Sequence, residues 1–132
     1  MLNLSNKRVL VTGVSSVIGA EIAQTIIALG GSVIGTSRNQ DSTLVTQLSL
    51  HNAFESVHWD ALNDPDFLDS NTGFDGWVHC IGAIHPQPIK YLSEAGNEGL
   101  FQVNYFSATR MASALLKLVC RTQRSGLIPC TT

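Results

Sequence analysis

Apolar and polar residues follow one another in blocks along the chain, and the period of the blocks changes from strand-like to helical and back. Arg8–Val11 is a short β-branched run closed by Thr12-Gly13, which predicts a buried strand. From Ile18 the apolar positions Ile18, Ile22, Ile26 and Leu29 recur at helical spacing, and Gly30-Gly31 stops that helix. Ser32–Thr36 is a second apolar run and a second predicted strand. The polar loop Ser37-Arg38-Asn39-Gln40-Asp41 follows it, and Ser42–Leu50 reads as a helix. Ser56–Trp59 is the third strand, ending at Asp60. Asn63-Asp64-Pro65 then resembles a helix start with proline in the first turn. Thr72-Gly73 turns the chain into a fourth strand, Gly76–Ile81. The longest predicted helix is Asn97–Arg121, with Leu100, Val103, Ser107, Met111, Leu115 and Leu118 along one face. Ser125-Gly126 is a turn, and Leu127-Ile128 opens a fifth strand.

Strand and helix thus alternate about four and a half times. That rhythm predicts βαβ crossovers and an α/β fold: a doubly wound parallel sheet of about five strands between two helical layers. The 132 residues suit one domain, 1–132, with a real core and little room for a second. Charge narrows the function classes. The formal net charge is −2, with no basic run and no aromatic–arginine patch, so nucleic acid is not an expected partner. No apolar run approaches membrane-spanning length and the N-terminus has no apolar signal-like core, so no membrane association is expected. Cys80, Cys120 and Cys130 are odd in number and lack metal or redox spacing; the expectation is a reduced, cytoplasmic protein without a metal site.

The chemistry concentrates in the turn after the first strand, VLVTGVSSVIG. In a doubly wound sheet, ligands bind beyond the carboxyl ends of the strands where the strand order reverses, and this turn is at that place. Gly13 permits a tight bend. The opening of the next helix supplies unpaired N–H groups and the positive end of its dipole to a phosphate. Ser15 and Ser16 can add hydroxyl donors, and Gly19 lets the helix lie close to the strand. Val17 is the irregular member: a β-branched residue there is costly at positive φ and tolerable at helical φ.

Thr12-Gly13-x-x-x-Val17-Ile18-Gly19 resembles the TGxxxGxG turn of the short-chain dehydrogenase/reductase family, with Val17 in place of the middle glycine. Further landmarks follow in the family's order. Ser37-Arg38 stands after the second strand, where NADP-preferring members carry a basic residue. Asp60, followed by Ala61, stands where the family's aspartate approaches the adenine. His79-Cys80-Ile81-Gly82 occupies the place of the family's NNAG and keeps its glycine. Asn104 matches the family's helical asparagine, which helps order a proton-relay water. The resemblance implies a Rossmann-like dinucleotide-binding domain with Gly13, Ser15, Ser16, Val17, Ile18, Gly19, Ser37, Arg38, Asp60, Ala61, Cys80, Ile81 and Gly82 around the cofactor, and Asn104 as the one matching catalytic position. It also implies a homo-oligomer, because the long helix resembles the one these enzymes use for dimer contacts. The residues at the end of the second strand decide the form of the cofactor. Thr36, Ser37 and Arg38 include no carboxylate to hold a ribose 2′-hydroxyl, whereas arginine suits a 2′-phosphate, so NADP is expected over NAD.

The family's reaction is hydride transfer between a carbonyl or alcohol and the dinucleotide, with a tyrosine as acid/base, a lysine that lowers its pKa and a serine at the carbonyl oxygen. A phenol at its ordinary pKa of about 10 is a poor base at neutral pH, which is why the lysine is needed. The two tyrosines, Tyr91 and Tyr105, have Ala95 and Thr109 four residues later, not lysine. The expectation is therefore an oxidoreductase-like chain cut after the fifth strand and lacking Ser and Tyr-x-x-x-Lys. Two alternatives stand beside it: a non-catalytic NADP-binding module acting through a partner, and a fragment without function. His79 is expected to make structural hydrogen bonds and not to act as a base.

Overall fold

The computed structural model describes residues 1–61, 63 and 73–123, with side chains described as far as 118. Asp64-Pro65 of the expected helix start, the Ser125-Gly126 turn, the strand from Leu127, Cys130 and the side chain of Cys120 lie outside the described residues. Two compact units are distinguished. The first comprises Met1–Asp60 and Gly73–Ile81. The described part of the second is residue 61, residue 63 and 82–123.

The first unit is built on four strands: β1 (Arg8–Thr12), β2 (Ser32–Ser37), β3 (Phe54–His58) and β4 (Gly76–His79). All pair in parallel in the order β3-β2-β1-β4, the sheet of a Rossmann-like α/β fold. Leu10, Val11, Val33 and Ile34 are almost completely buried although they alternate in direction, the near-continuous apolar pattern of parallel strands. On one face Val9, Val11, Val33 and Phe54 join Val14, Ala20, Ala23, Ile26, Val45 and Leu48 in a single apolar cluster. The latter residues come from the β1–α1 turn, from α1 (Val17–Ala28) and from α2 (Thr43–Leu48).

α1 corrects one expectation. Its buried residues are Gly19, Ala20, Ala23 and Ile26, while Ile18 is 70% exposed and Ile22 only half-buried. The isoleucine stripe gave the right period: Ile26 is buried and Ile22 packs against the core, but the buried face is centred on the small residues and leaves Ile18 outside it. Small residues at 19, 20 and 23 let the helix backbone come close to the sheet, and close approach outweighs side-chain size here. The helix end follows expectation. Gly30 adopts φ +87°, its N–H donates to Ile27 O at 2.9 Å, and Gly31 N–H donates to Ile26 O at 3.0 Å, the paired bonds of a Schellman stop. β3 begins two residues earlier than expected, because Phe54 and Glu55 already pair with Val33 and Ile34. β4 ends at His79, where its register with Thr12 is the last.

In the second unit a 3₁₀ turn (Ile89–Tyr91) leads to α3 (Glu94–Phe101), a π-helical segment (Gln102–Phe106) and α4 (Ser107–Gln123). Helical backbone is continuous through Phe101, Gln102 and Ser107, so the predicted long helix exists, starts three residues earlier and carries a π turn. Ser93 caps its start by accepting from Gly96 N–H at 3.1 Å. Ser107 and Met111 of the predicted face are buried, and Leu100, Val103, Leu115 and Leu118 are half-buried.

Gly35 marks where the sheet and the turn are tightest. A β-carbon there would stand 2.5 Å from Phe54 Cε2 and 2.8 Å from Val14 Cγ1. Gly35→Ala is therefore expected to lower the unfolding free energy by about 1–3 kcal/mol through overpacking. At Gly76, also in a strand, the nearest heavy atom would be 3.9 Å away. Gly76→Ala is expected to be neutral or to stabilise by up to about 1 kcal/mol. Equal urea midpoints for the two variants would disprove the packing argument.

Candidate dinucleotide site

The register of the first unit brings Thr36, Thr12 and His79 into one row across the carboxyl ends of β2, β1 and β4. The next row carries the turn. Gly13 and Val14 N–H groups both donate to Thr36 O, at 2.9 and 3.0 Å, and Cys80 N–H donates to Thr12 O at 2.8 Å. Strand order reverses at β1, between β2 on one side and β4 on the other, so this edge is the switch point of the sheet.

Gly13 has φ +89°, and a β-carbon on it would stand 2.7 Å from Cys80 O and 3.2 Å from Ile81 Cγ1. A β-carbon on Gly19 would stand 2.3 Å from Gly13 O. Strand, turn and helix thus meet backbone to backbone. Ser16 is the N-cap of α1: its hydroxyl donates to Gly13 O at 2.8 Å and accepts from Gly19 N–H at 3.0 Å. That hydroxyl is engaged in the cap, which leaves Ser15, half-buried beside it, as the freer donor. Val17 and Ile18 follow as the first helical residues, whose N–H groups have no intrahelical acceptor. Val17 is helical, not at positive φ, and its side chain is 77% exposed. The backbone of this turn therefore tolerates a β-branched residue.

At the end of β2, Ser37 is buried and Arg38 exposed. Ser37 Oγ donates to Asn39 O at 2.9 Å, so this hydroxyl closes its own loop. Arg38 makes no ion pair among the described residues, where Lys7 pairs with Asp75 and Arg8 with Glu55. Asp60 and Ala61 are half-buried at the chain's exit from the first unit. Cys80 is a free thiol, half-buried, and burial pushes its pKa up. The structure thus gathers Gly13, Ser15, Ser16, Val17, Ile18, Gly19, Ser37, Arg38, Cys80 and Ile81 in the first unit at the carboxyl edge of the sheet.

A family model of the short-chain dehydrogenases matches residues 7–131. The chain belongs to the short-chain dehydrogenase family. Members of this family bind NAD(P). The chain is 51% identical over 101 residues to coniferyl-alcohol dehydrogenase of a Pseudomonas species (strain HR199), a match covering 71% of this chain and 40% of that protein. Among solved structures it resembles NADPH-bound carbonyl reductase from chicken fatty liver, with TM-score 0.77 and 18% identity over 95% of this chain and 52% of that one. It also resembles a short-chain dehydrogenase/reductase of Burkholderia multivorans with bound NADP, with TM-score 0.73 and 22% identity over 85% and 53% of the two chains. The structural likenesses speak for the fold. The chain spans about half the length of the relatives it matches.

Two further side-chain clusters stand out in this short-chain dehydrogenase chain, one in each unit. In the second unit, Asn104 lies in the π segment and clamps one peptide: its Oδ1 accepts from Ala83 N–H at 2.7 Å and its Nδ2 donates to Ala83 O at 2.7 Å. A β-carbon on Gly82 would stand 3.2 Å from Asn104 Oδ1. In the first unit, Thr12 Oγ1 lies 2.9 Å from His79 Nδ1 and accepts from Trp77 Nε1 at 3.3 Å. His79 therefore does make a structural hydrogen bond. Its Nε2 is buried and has no hydrogen-bond partner among the described residues. The Trp77–Thr12–His79 cluster and the pairing of Gln40, in the loop after β2, with Ser56 on β3 join elements distant in sequence, and no local pattern announces them.

Burial lowers the His79 pKa. The unfolded chain then takes up a proton that the folded chain refuses as pH falls through the unfolded histidine value of about 6.5. The contribution of His79 to stability is intact above that value, declines as pH falls below it, and levels off only beneath the folded pKa. The urea midpoint is expected to drop between about pH 7.5 and about pH 5.5, and His79→Gln, which does not titrate, to flatten that drop. An unchanged slope in His79→Gln would exclude this histidine as the cause.

Proposed function

We propose that this chain carries the cofactor-binding part of an NADP-preferring oxidoreductase that moves hydride between the dinucleotide and a carbonyl or alcohol. The observation that carries the reading is the β1–α1 turn. Gly13 at φ +89° stands against Cys80 O, and the uncapped N–H groups of Val17 and Ile18 open α1 at the switch point of the sheet. That arrangement suits a pyrophosphate. Arg38 carries the preference: it is exposed, has no ion pair among the described residues, and its fork fits a 2′-phosphate. The NADPH and NADP bound by the two structural relatives support this choice. The alcohol in the name of the 51% identical relative supports the substrate class. Asn104 matches the family's helical asparagine, and the role proposed for it is positioning, through Ala83. A second reading, a binding module that works through a partner, is favoured by one observation: Tyr91 and Tyr105 are followed four residues on by Ala95 and Thr109. We also propose a cytoplasmic homo-oligomer, supported by the exposed Phe101, Tyr105, Phe106 and Leu116 on the long helix.

NADPH is expected to bind more tightly than NADH. Arg38→Asp is expected to weaken NADPH by about 10- to 100-fold, the worth of a charge-assisted phosphate contact of about 1.5–3 kcal/mol. Fluorescence titration with both nucleotides measures it, and equal affinities for the parent chain would end the NADP assignment.

The 132-residue chain by itself is expected to bind dinucleotide without carbonyl reduction, since general acid–base help is worth about 10²–10⁴ in rate and no tyrosine here has its lysine. Steady NADPH oxidation with carbonyl substrates by the purified chain would refute this. A stable monomer by light scattering at micromolar concentration would refute the self-association.

A further inference from the structure

The loop after β2 is held by a side chain that the turn itself does not require. Gln40 Nε2 donates to Ser37 O and to Ser37 Oγ, each at 3.1 Å, and Gln40 Oε1 accepts from Ser56 Oγ on β3. The amide orientation follows from chemistry: the Ser37 carbonyl can only accept, so the amide nitrogen must face it and the oxygen must face Ser56. Ser37 Oγ meanwhile donates to Asn39 O, and Asn39 Oδ1 accepts from Asp41 N–H at 3.1 Å. The residues on both sides of Arg38 are thus tied down, on one side to β2 and through Gln40 to β3, while Arg38 projects into solvent. Ser37 O also accepts from Trp59 N–H at 3.1 Å, so the anchor is continuous with the β2–β3 ladder.

We infer that Gln40, braced by Ser56, is the positioning residue that sets the preference for a 2′-phosphorylated dinucleotide by fixing the backbone that carries Arg38. The inference rests on the NADP reading above. An arginine on a free loop gives up backbone and side-chain freedom when it grips a phosphate, whereas here the backbone share is already given up on folding. Only a ligand that reaches Arg38 benefits, so the bridge should act on NADPH and not on NADH.

The test is nucleotide titration of the whole chain carrying Gln40→Met, which keeps length and loses both hydrogen-bonding atoms, and separately Ser56→Ala and Ser56→Thr. Gln40→Met is expected to weaken NADPH about three- to tenfold, the scale of one or two net hydrogen bonds, and to leave NADH within about twofold. Ser56→Ala should follow in the same direction and Ser56→Thr, which keeps the hydroxyl, should restore the parent ratio. In an Arg38→Ala background the effect of Gln40→Met should vanish. Equal weakening of both nucleotides, no weakening of either, or an effect that persists without Arg38 overturns the inference while leaving the NADP reading intact. An Arg38→Ala chain whose NADPH-to-NADH ratio equals the parent's overturns both. If Gln40→Met does not fold, Ser56→Ala decides, since it breaks the same bridge from β3.

Discussion

Where β1 gives way to α1, three stretches of backbone lie in van der Waals contact, and the approach leaves no volume for a β-carbon at Gly13 or Gly19. The Gly13 carbonyl is the hub: Ser16 Oγ donates to it, and Gly19 Cα stands directly beside it. Gly13 in turn lies against the Cys80 carbonyl, so the turn, the start of α1 and the end of β4 are fixed relative to one another by main-chain contact. Main-chain contact is less adaptable than side-chain packing, because a carbonyl cannot change rotamer to admit a methyl group. The small residues Ala20 and Ala23 extend the same close approach along α1.

That constraint explains why Val17 is acceptable one step away. It begins the helix with ordinary backbone angles and turns its side chain outward, so the two glycines that carry the geometry are those before and after it. The edge of the sheet beyond β2 is organised differently. There no glycine is involved, and polar side chains from β2, the loop and β3 hold one another: Ser37, Asn39, Gln40 and Ser56. One part of the edge is shaped by absence of side chains and the other by their hydrogen bonds.

Much of the fold was legible in the sequence because its signals are local. β1 and β2 each carry a short apolar run, Gly30-Gly31 is a stop signal with a known mechanism, and the Thr12-Gly13 turn lies at a strand end. The buried face of α1 was only partly legible from hydrophobicity, since Ile26 is buried but glycine and alanine make the close approach while Ile18 faces water. A rule that looks for the largest apolar residues misses a helix that binds by proximity. Gln40, Ser56 and the Trp77–Thr12–His79 cluster were hidden for another reason: their partners are set by strand order, and strand order is not written in any one segment.

The π segment between α3 and α4 is a surplus of one residue in a continuous rod. In an uninterrupted α-helix Asn104 and Met111, two turns apart, would share a bearing, and a carboxamide would sit in line with the apolar stripe. The wider turn, which contains Asn104 itself, shifts the phase between them by a fraction of one residue's rotation of about 100°. Asn104 is exposed and bonded to Ala83, while Met111 is 4% exposed. A single extra amino acid thus works as a vernier, setting a polar grip and a greasy seam on one rod at angles that the plain helical pitch would have forced to coincide.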